Sequence, residues 1–223
     1  MEKYSHLEPR ASSQNPEQRR HESRRGVNVK HAAWTEGTWT TEPARVDIDQ
    51  HGMRVAAVGG SDAWRITSYG FIHDTEHALL APFEPGSAVE VSFLFDFSSQ
   101  FDQAGIFVRT DDATWIKTGI EWSDGDGSLG AVVTRGVSDW SLSRVEGWQG
   151  RLVTVRASRS GDALTVRARV DDEPWRLVRV APLDPDADVT AGPYCCAPSR
   201  DGLTVHFTSW RTGNADPSLH PEA

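Results

Sequence analysis

Five side chains between residues 103 and 121 carry the chemistry that this sequence offers most plainly: Gln103, Arg109, Trp115, Lys117 and Glu121. An amide, a carboxylate and a guanidinium hold hydroxyl groups, and an indole lies under a ring. Lys117 and Arg109 together are suited to a single anionic group. A glycosidase needs more, since that reaction uses two carboxylates across a cleft. Glu121 is the one carboxylate on this face, because Asp102 falls on the opposite side of its strand. The bland alternative is a solvated sheet face on which Lys117 and Glu121 form an ordinary surface ion pair, worth little.

The elements that must position these residues are strands. Residues 102–110 and 115–122 alternate about the polar turn Asp111-Asp112-Ala113, and Asp-Gly pairs at 124–127 signal the next hairpin. Side chains on a strand point alternately to opposite faces. One face gathers Ala104, Ile106, Val108, Ile116, Thr118 and Ile120, which is a core face. The other gathers the five candidates with Phe107, Gly105 and Gly119. If Arg109 pairs with Trp115, then Phe107 faces Lys117, Gly105 faces Gly119, and Gln103 faces Glu121. Glycine weakens a strand interior, so a facing pair calls for close approach of a ligand or of another backbone. The ligand reading makes Gly105 and Gly119 the floor of a pocket, with Trp64, Tyr69 and Trp140 at its edges. On that reading Lys117→Ala or Glu121→Ala abolishes binding at little cost in stability, and Gly119→Val fills the pocket yet folds.

Composition narrows the classes. The chain has 223 residues and a net charge of −9, which disfavours a nucleic-acid partner. Nine Trp suit both a large core and stacking on flat ligands. The only cysteines, Cys195 and Cys196, are adjacent and cannot form a normal bridge, so they read as reduced and buried. The start MEKYSHLEPR has no apolar h-region, and no run approaches the roughly 18 apolar residues of a membrane span. These features predict a cytoplasmic protein that meets no membrane. Residues 1–30 are polar and aperiodic and read as a disordered tail. Residues 31–212 form one domain, and residues 213–223 are a polar tail.

In chain order, Arg45 to Val58 is a hairpin about His51-Gly52. Residues 61–79 form a strand carrying Trp64, Ile66 and Ser68 on one face, with a bend at Gly70. Asp62, His73 and His77 match no standard zinc spacing, so no metal and no cofactor is expected. Residues 89–97 (VEVSFLFDF) are a central buried strand. Leu129 to Arg135 is a further strand, and residues 135–141 a loop bearing Trp140, as a ligand stacker or as a plug for the sandwich. Two later hairpins complete roughly a dozen strands without helical periodicity. That count and spacing predict an all-β sandwich or jelly roll.

The stretches SDAWRITSYGF, FDQAGIFVR, WIKTGIEW, AVVTRGVSDWS and GPYCCAP together resemble the "regulation of enolase" family, a domain of unknown function, over about residues 34–211. The resemblance implies a concanavalin A-like jelly roll of two curved antiparallel sheets, cytosolic placement and a link to carbohydrate metabolism. The chain is also similar, more distantly, to the C-terminal domain of β-xylosidases. The resemblance brings no catalytic residues, so the candidate site rests on the strand argument. The reading that follows is a non-catalytic binding module for a sugar, sugar phosphate or related metabolite on the concave sheet. Two alternatives stand beside it. One is a glycan-active lyase or hydrolase, for which Tyr69 and His73 supply the lyase acid and base; lack of a secretion signal weighs against a polymer substrate. The other is a module that binds and regulates a metabolic enzyme. The sequence is silent on oligomeric state.

Overall fold

Alternation of apolar and polar residues divides the chain between two antiparallel sheets that share one core. The computed structural model describes residues 29–220. The proposed N-terminal tail lies outside the described residues except for its last two positions. Among the described residues every regular element is a strand. The back sheet contains β1 (Lys30–His31), β3 (Arg45–Asp49), β4 (Gly52–Ala56), β8 (Ser87–Leu94), β13 (Leu152–Ser160), β14 (Ala163–Val170), β15 (Arg176–Pro182) and β17 (Thr204–Asn214). Its order is β15-β14-β13-β8-β17-β4-β3, with β1 beside β17. The front sheet contains β2 (Thr38–Trp39), β7 (His77–Pro82), β9 (Gln103–Asp111), β10 (Thr114–Ser123), β11 (Asp126–Arg135), β12 (Val137–Arg144) and β16 (Thr190–Cys196), in the order β12-β11-β10-β9-β16-β7-β2. A separate two-stranded ribbon joins β5 (Ala63–Arg65) to β6 (Ile72–Asp74). The result is the two-sheet, all-β jelly roll that the sequence predicts.

The inter-sheet core is built from the predicted inward positions. Ile106 and Ile120 of the front sheet meet Val91, Phe93, Val155, Val166 and Phe207 of the back sheet. The continuous apolar run becomes β8, paired on both sides by β13 and β17. Cys195 belongs to this core, whereas Cys196 faces the outer side of the front sheet. Neighbouring strand residues point apart, which is why the two thiols stay free. Burial pushes the Cys195 thiol up to about 12 and raises Cys196 as well.

Several boundaries differ from the sequence reading. Residues 135–141 are not a loop: Gly136, with φ of 73°, turns the chain tightly, and β12 pairs along β11 with Trp140 opposite Val132. Residues 66–71 are not a strand. Ile66, Ser68 and Gly70 all have positive φ, so the chain reverses between β5 and β6. β17 runs on to Asn214, and Asp216 pairs with Arg156 and Arg167, so the domain continues past residue 212.

The largest difference concerns the outer face of the front sheet, which sequence patterning makes wet. The β5–β6 ribbon lies across it, and Trp64, Phe107, Trp115, Val132, Tyr194 and Cys196 form a second apolar cluster there. Two hydrogen bonds from Arg65 pin the ribbon: its N–H donates to Ser138 Oγ (3.0 Å) and its guanidinium to Asp112 O (3.3 Å). Within the ribbon the same guanidinium pairs with Asp74 (2.8 Å).

Candidate functional site

The predicted register is present in full: Arg109 with Trp115, Phe107 with Lys117, Gly105 with Gly119, Gln103 with Glu121. The glycine pair does something other than floor a pocket. A Cβ on Gly119 would lie 2.1 Å from Ala104 O, and one on Gly105 would lie 1.9 Å from Thr118 O. The two strands approach so closely that neither position has room for a side chain. Gly119→Val is therefore incompatible with this sheet.

The bare row does leave a lane over the sheet, and Lys117 occupies it. Lys117 shares a row with Phe107, and Gln103 shares one with Glu121, four residues and about 13 Å along the strand. Yet Lys117 Nζ donates to Gln103 Oε1 at 2.9 Å. Only a stem stretched over Gly119 and Gly105 spans that distance. Its ammonium also donates to Asp62 Oδ1 at 2.9 Å. Asp62 is fixed in turn: its Oδ1 accepts from Ala63 N–H (2.8 Å), its backbone N–H donates to Thr75 Oγ1 (3.1 Å), and Gln103 Nε2 lies 3.4 Å from Oδ1.

Lys117 is only 3% exposed and Glu121 9%, so neither sits on a wet face, and they do not form the expected surface pair. The partner of Lys117 is Asp62. Burial alone would push the Lys117 ammonium down; the Asp62 carboxylate, with smaller help from Cys196 and Glu121, outweighs it, and the net direction is upward. Glu121 behaves oppositely. Burial raises its carboxyl to about 7, against the pull of Lys117 and with some repulsion from Asp62 and Asp124. Its Oε1 is buried with no hydrogen-bond partner among the described residues.

This asymmetry has a measurable consequence. The Glu121 carboxyl titrates near 4.5 when unfolded and near 7 when folded, so the folded state binds the extra proton between those values. Its contribution to stability is therefore fullest below about 4.5 and falls as pH rises to about 7, by up to about 3 kcal/mol. Glu121→Gln removes that fall. Urea unfolding at pH 5 and pH 8 should show the variant gaining on the wild type at the higher pH. An unchanged difference between the two proteins would mean that Glu121 titrates as it does in the unfolded chain.

Around this floor stand aromatic walls. Gln103, Lys117, Glu121 and Asp62 open into a pocket of about 410 Å³ lined also by Trp64, Tyr69, Phe71, His73, Phe101 and Trp140. Trp64 meets Trp140 edge-on at 6.0 Å and Tyr69 at 5.6 Å, and its Nε1 donates to Thr67 O (2.9 Å). The structure thus brings together six predicted residues: Gln103, Lys117, Glu121, Trp64, Tyr69 and Trp140.

Arg109 and Trp115 are not among them. Trp115 is stacked on Phe107 at 5.3 Å inside the second apolar cluster and cannot lie under a ligand in this pocket. Arg109 pairs with Asp112, and both it and Trp115 line a different recess of about 240 Å³ with Thr40, Asp74 and Glu76. The pinned ribbon lies across the face that carries both recesses. A more open cleft of about 1010 Å³, lined by Glu36, Asp111, Asp186 and Asp188, shares only Arg109 with the predicted set. Among the described residues no group of three or more His, Cys, Asp or Glu is arranged to hold a metal ion.

Asp62, Phe71 and His73 are among the pocket residues whose placement the strand pattern does not give. They arrive on the ribbon, 55 residues from Lys117 in the case of Asp62. The one available signal is the aspartate just before a strand, where its carboxylate accepts the next N–H.

Comparison with known proteins follows the same outline. A family model described as a protein of unknown function, DUF1349, matches residues 39–215. Regulation of enolase protein 1 of Saccharomyces cerevisiae is 38% identical over 186 residues, which cover 82% of this chain and 92% of that protein. The crystal structure of a functionally unknown protein from Saccharomyces cerevisiae superposes with a TM-score of 0.77 and 34% identity, over 82% of this chain and 98% of that one. More distant structures share the fold alone. A xylan β-1,4-xylosidase from Bacillus halodurans matches with a TM-score of 0.63 at 12% identity, over 93% of this chain and 41% of that one. A lectin from Bauhinia forficata in complex with GalNAc gives 0.52 at 13%, over 86% of this chain and all of that one.

Proposed function

We propose that this chain, which belongs to the DUF1349 family of proteins of unknown function, is a concanavalin A-like binding module whose front-sheet pocket holds a neutral sugar. One observation carries the reading: aromatic walls rise above a polar floor that, among the described residues, has no unpaired Lys or Arg. Sugar rings offer an apolar face to indoles and hydroxyls to amides and carboxylates. The volume suits a small ligand.

The same floor disfavours a sugar phosphate. Among the described residues Lys117 is the one Lys or Arg that lines it, and it is already matched by Asp62, with Glu121 close by. Arg109, the other group suited to an anion, is in a different recess. The ribbon narrows the ligand further. It is pinned over the sheet by Arg65, so a long chain cannot run along the face, and a free sugar or the end of a chain fits. The name of the yeast relative speaks of regulation of enolase; on the present reading the chain is a cytoplasmic module that couples a sugar to control of a metabolic enzyme.

The test is calorimetric titration with a panel of neutral monosaccharides and their phosphates. Neutral sugars should bind more tightly than the phosphates. Trp140→Ala should weaken binding by up to about 10-fold, the order of effect of losing one stacking aromatic, and lower the melting temperature by only a few degrees, since Trp140 is an edge-strand residue whose aromatic partner is Trp64. Preference for the phosphates would sink the reading.

A second reading has its own observation. Ile66, Tyr69, Phe71 and Ile72 at the ribbon tip are all strongly exposed, which suits a protein-interaction module. Loss of a partner with Phe71→Ser while sugar titrations stay blank would favour it.

A further inference from the structure

The pocket floor holds two carboxyl groups in contrasting surroundings. Asp62 is the salt-bridge partner of Lys117. Its Oδ1 accepts from Lys117 Nζ and Ala63 N–H, with Gln103 Nε2 at 3.4 Å, while its Oδ2 accepts no hydrogen bond among the described residues. Glu121 has no such partner, and its Oε1 is buried without one. Gln103 joins the two. It touches Asp62 and stands directly across from Glu121. Asp62 and Glu121 line the same pocket, near enough for the charge of Asp62 to help push the Glu121 carboxyl up. Hydrolysis of a glycosidic bond requires this division of labour across a gap of roughly 5–10 Å: one carboxyl to give a proton, one carboxylate to take one.

We propose that the pocket hydrolyses the terminal glycosidic bond of a small neutral glycoside, with Glu121 as proton donor and Asp62 as the base that activates water. The proposal rests on the neutral-sugar reading of the same pocket. Glu121 passes its carboxyl proton to the glycosidic oxygen as the C1–O bond breaks. A water molecule adds its oxygen to C1 and gives its proton to Asp62 Oδ2. One glycoside and one water become a free sugar and an alcohol. Asp62 then loses its proton to solvent and Glu121 regains one. Lys117 is a positioning residue, since it holds Oδ1 and leaves Oδ2 turned to the reaction. The ribbon that blocks passage along the sheet restricts the substrate to a chain end. Burial keeps the Glu121 proton in place up to about pH 7, a range in which a carboxyl both carries its proton and can release it.

The experiment incubates the full chain with alkyl and 2,4-dinitrophenyl glycosides of the common neutral sugars, measures sugar release, and titrates the same compounds by calorimetry. At least one glycoside should bind and be cleaved. Glu121→Gln should slow cleavage of its alkyl form by at least about 100-fold, and that of its dinitrophenyl form by less than about 10-fold, because a good leaving group needs no proton. Asp62→Asn should slow both forms equally. Should Asp62→Asn fail to fold, the leaving-group contrast in Glu121→Gln decides the matter alone. Equal slowing of both forms by Glu121→Gln overturns its role as the acid. A glycoside that binds yet is cleaved no faster than by Glu121→Gln/Asp62→Asn overturns the hydrolase and leaves the binding module standing. If none binds and none is cleaved, both fall.

Discussion

Lys117→Ala is expected to destabilise the domain by about 3–5 kcal/mol, the cost of leaving a buried charge without its partner. At roughly 2–4 °C per kcal/mol for a domain of this size, the melting temperature falls by on the order of 10 °C or more. The reason lies in the pair itself. Asp62 reaches into the floor from the ribbon, and Lys117, with Nζ at 2.9 Å, is the one Lys or Arg among the described residues that line the pocket. The stem of Lys117 also covers the glycine lane, so its removal uncovers backbone. Asp62→Ala should cost a similar amount by stranding the ammonium. Asp62→Ala/Lys117→Met should be less destabilised than the sum of the single changes, because neither charge is then left alone. Urea unfolding of the four proteins gives the coupling. A cost below about 1 kcal/mol for Lys117→Ala would be that of an exposed pair and would mean that the ribbon leaves the floor open to water.

Gly119→Val should yield no folded protein, and Gly119→Ala should cost more than about 4 kcal/mol, the range reserved for a defect in the core of a structure. The added Cβ meets Ala104 O at 2.1 Å and Gly105 Cα at 2.7 Å, both backbone atoms of the adjoining strand. No rotamer relieves such a contact; the two central strands of the front sheet must part. Gly70→Ala is the control. Gly70 also has a positive φ, of 75°, but open space surrounds it, so the penalty there is about 1–2 kcal/mol. Soluble yield and denaturant midpoints separate the three variants. A well-folded Gly119→Val would show that the glycines are spaced for a ligand instead of for each other.

The two results mark where the sequence was legible. Period-two alternation in residues 102–122 specifies the sandwich and the core face, because a one-residue slip would turn Ile106 and Ile120 outward; the cross-strand register needs the further condition that Arg109 pairs with Trp115 across the short turn, which the structure meets. The same alternation could not say what lay above the outer face. Residues 61–74 share the composition of a strand, and their reversal at Ile66 and Ser68 depends on positive φ values that β-branched and polar side chains do not advertise. Once the ribbon folds over the sheet, Trp115 becomes core, Lys117 gains Asp62, and Glu121 loses solvent. The type of Trp140 marks it as a pocket residue, but its element is not visible in the sequence, since Gly136 makes a tight turn where the composition suggests a loop. Arg109 failed for a simple reason of distance: it shares the face but stands at the other end of its strand.

The central claim, a neutral sugar seated between the aromatic walls and the Lys117–Asp62 floor, is tested most directly through the indoles. The nine Trp each give one Nε1–H signal, assignable by single Trp→Phe changes. Titration of the ¹⁵N-labelled chain with xylose, glucose, galactose and arabinose should move the signals of Trp64 and Trp140, which line the pocket, and leave that of Trp115, which is packed beneath the ribbon, in place. Perturbation of other indoles with Trp64 and Trp140 unmoved would contradict the account.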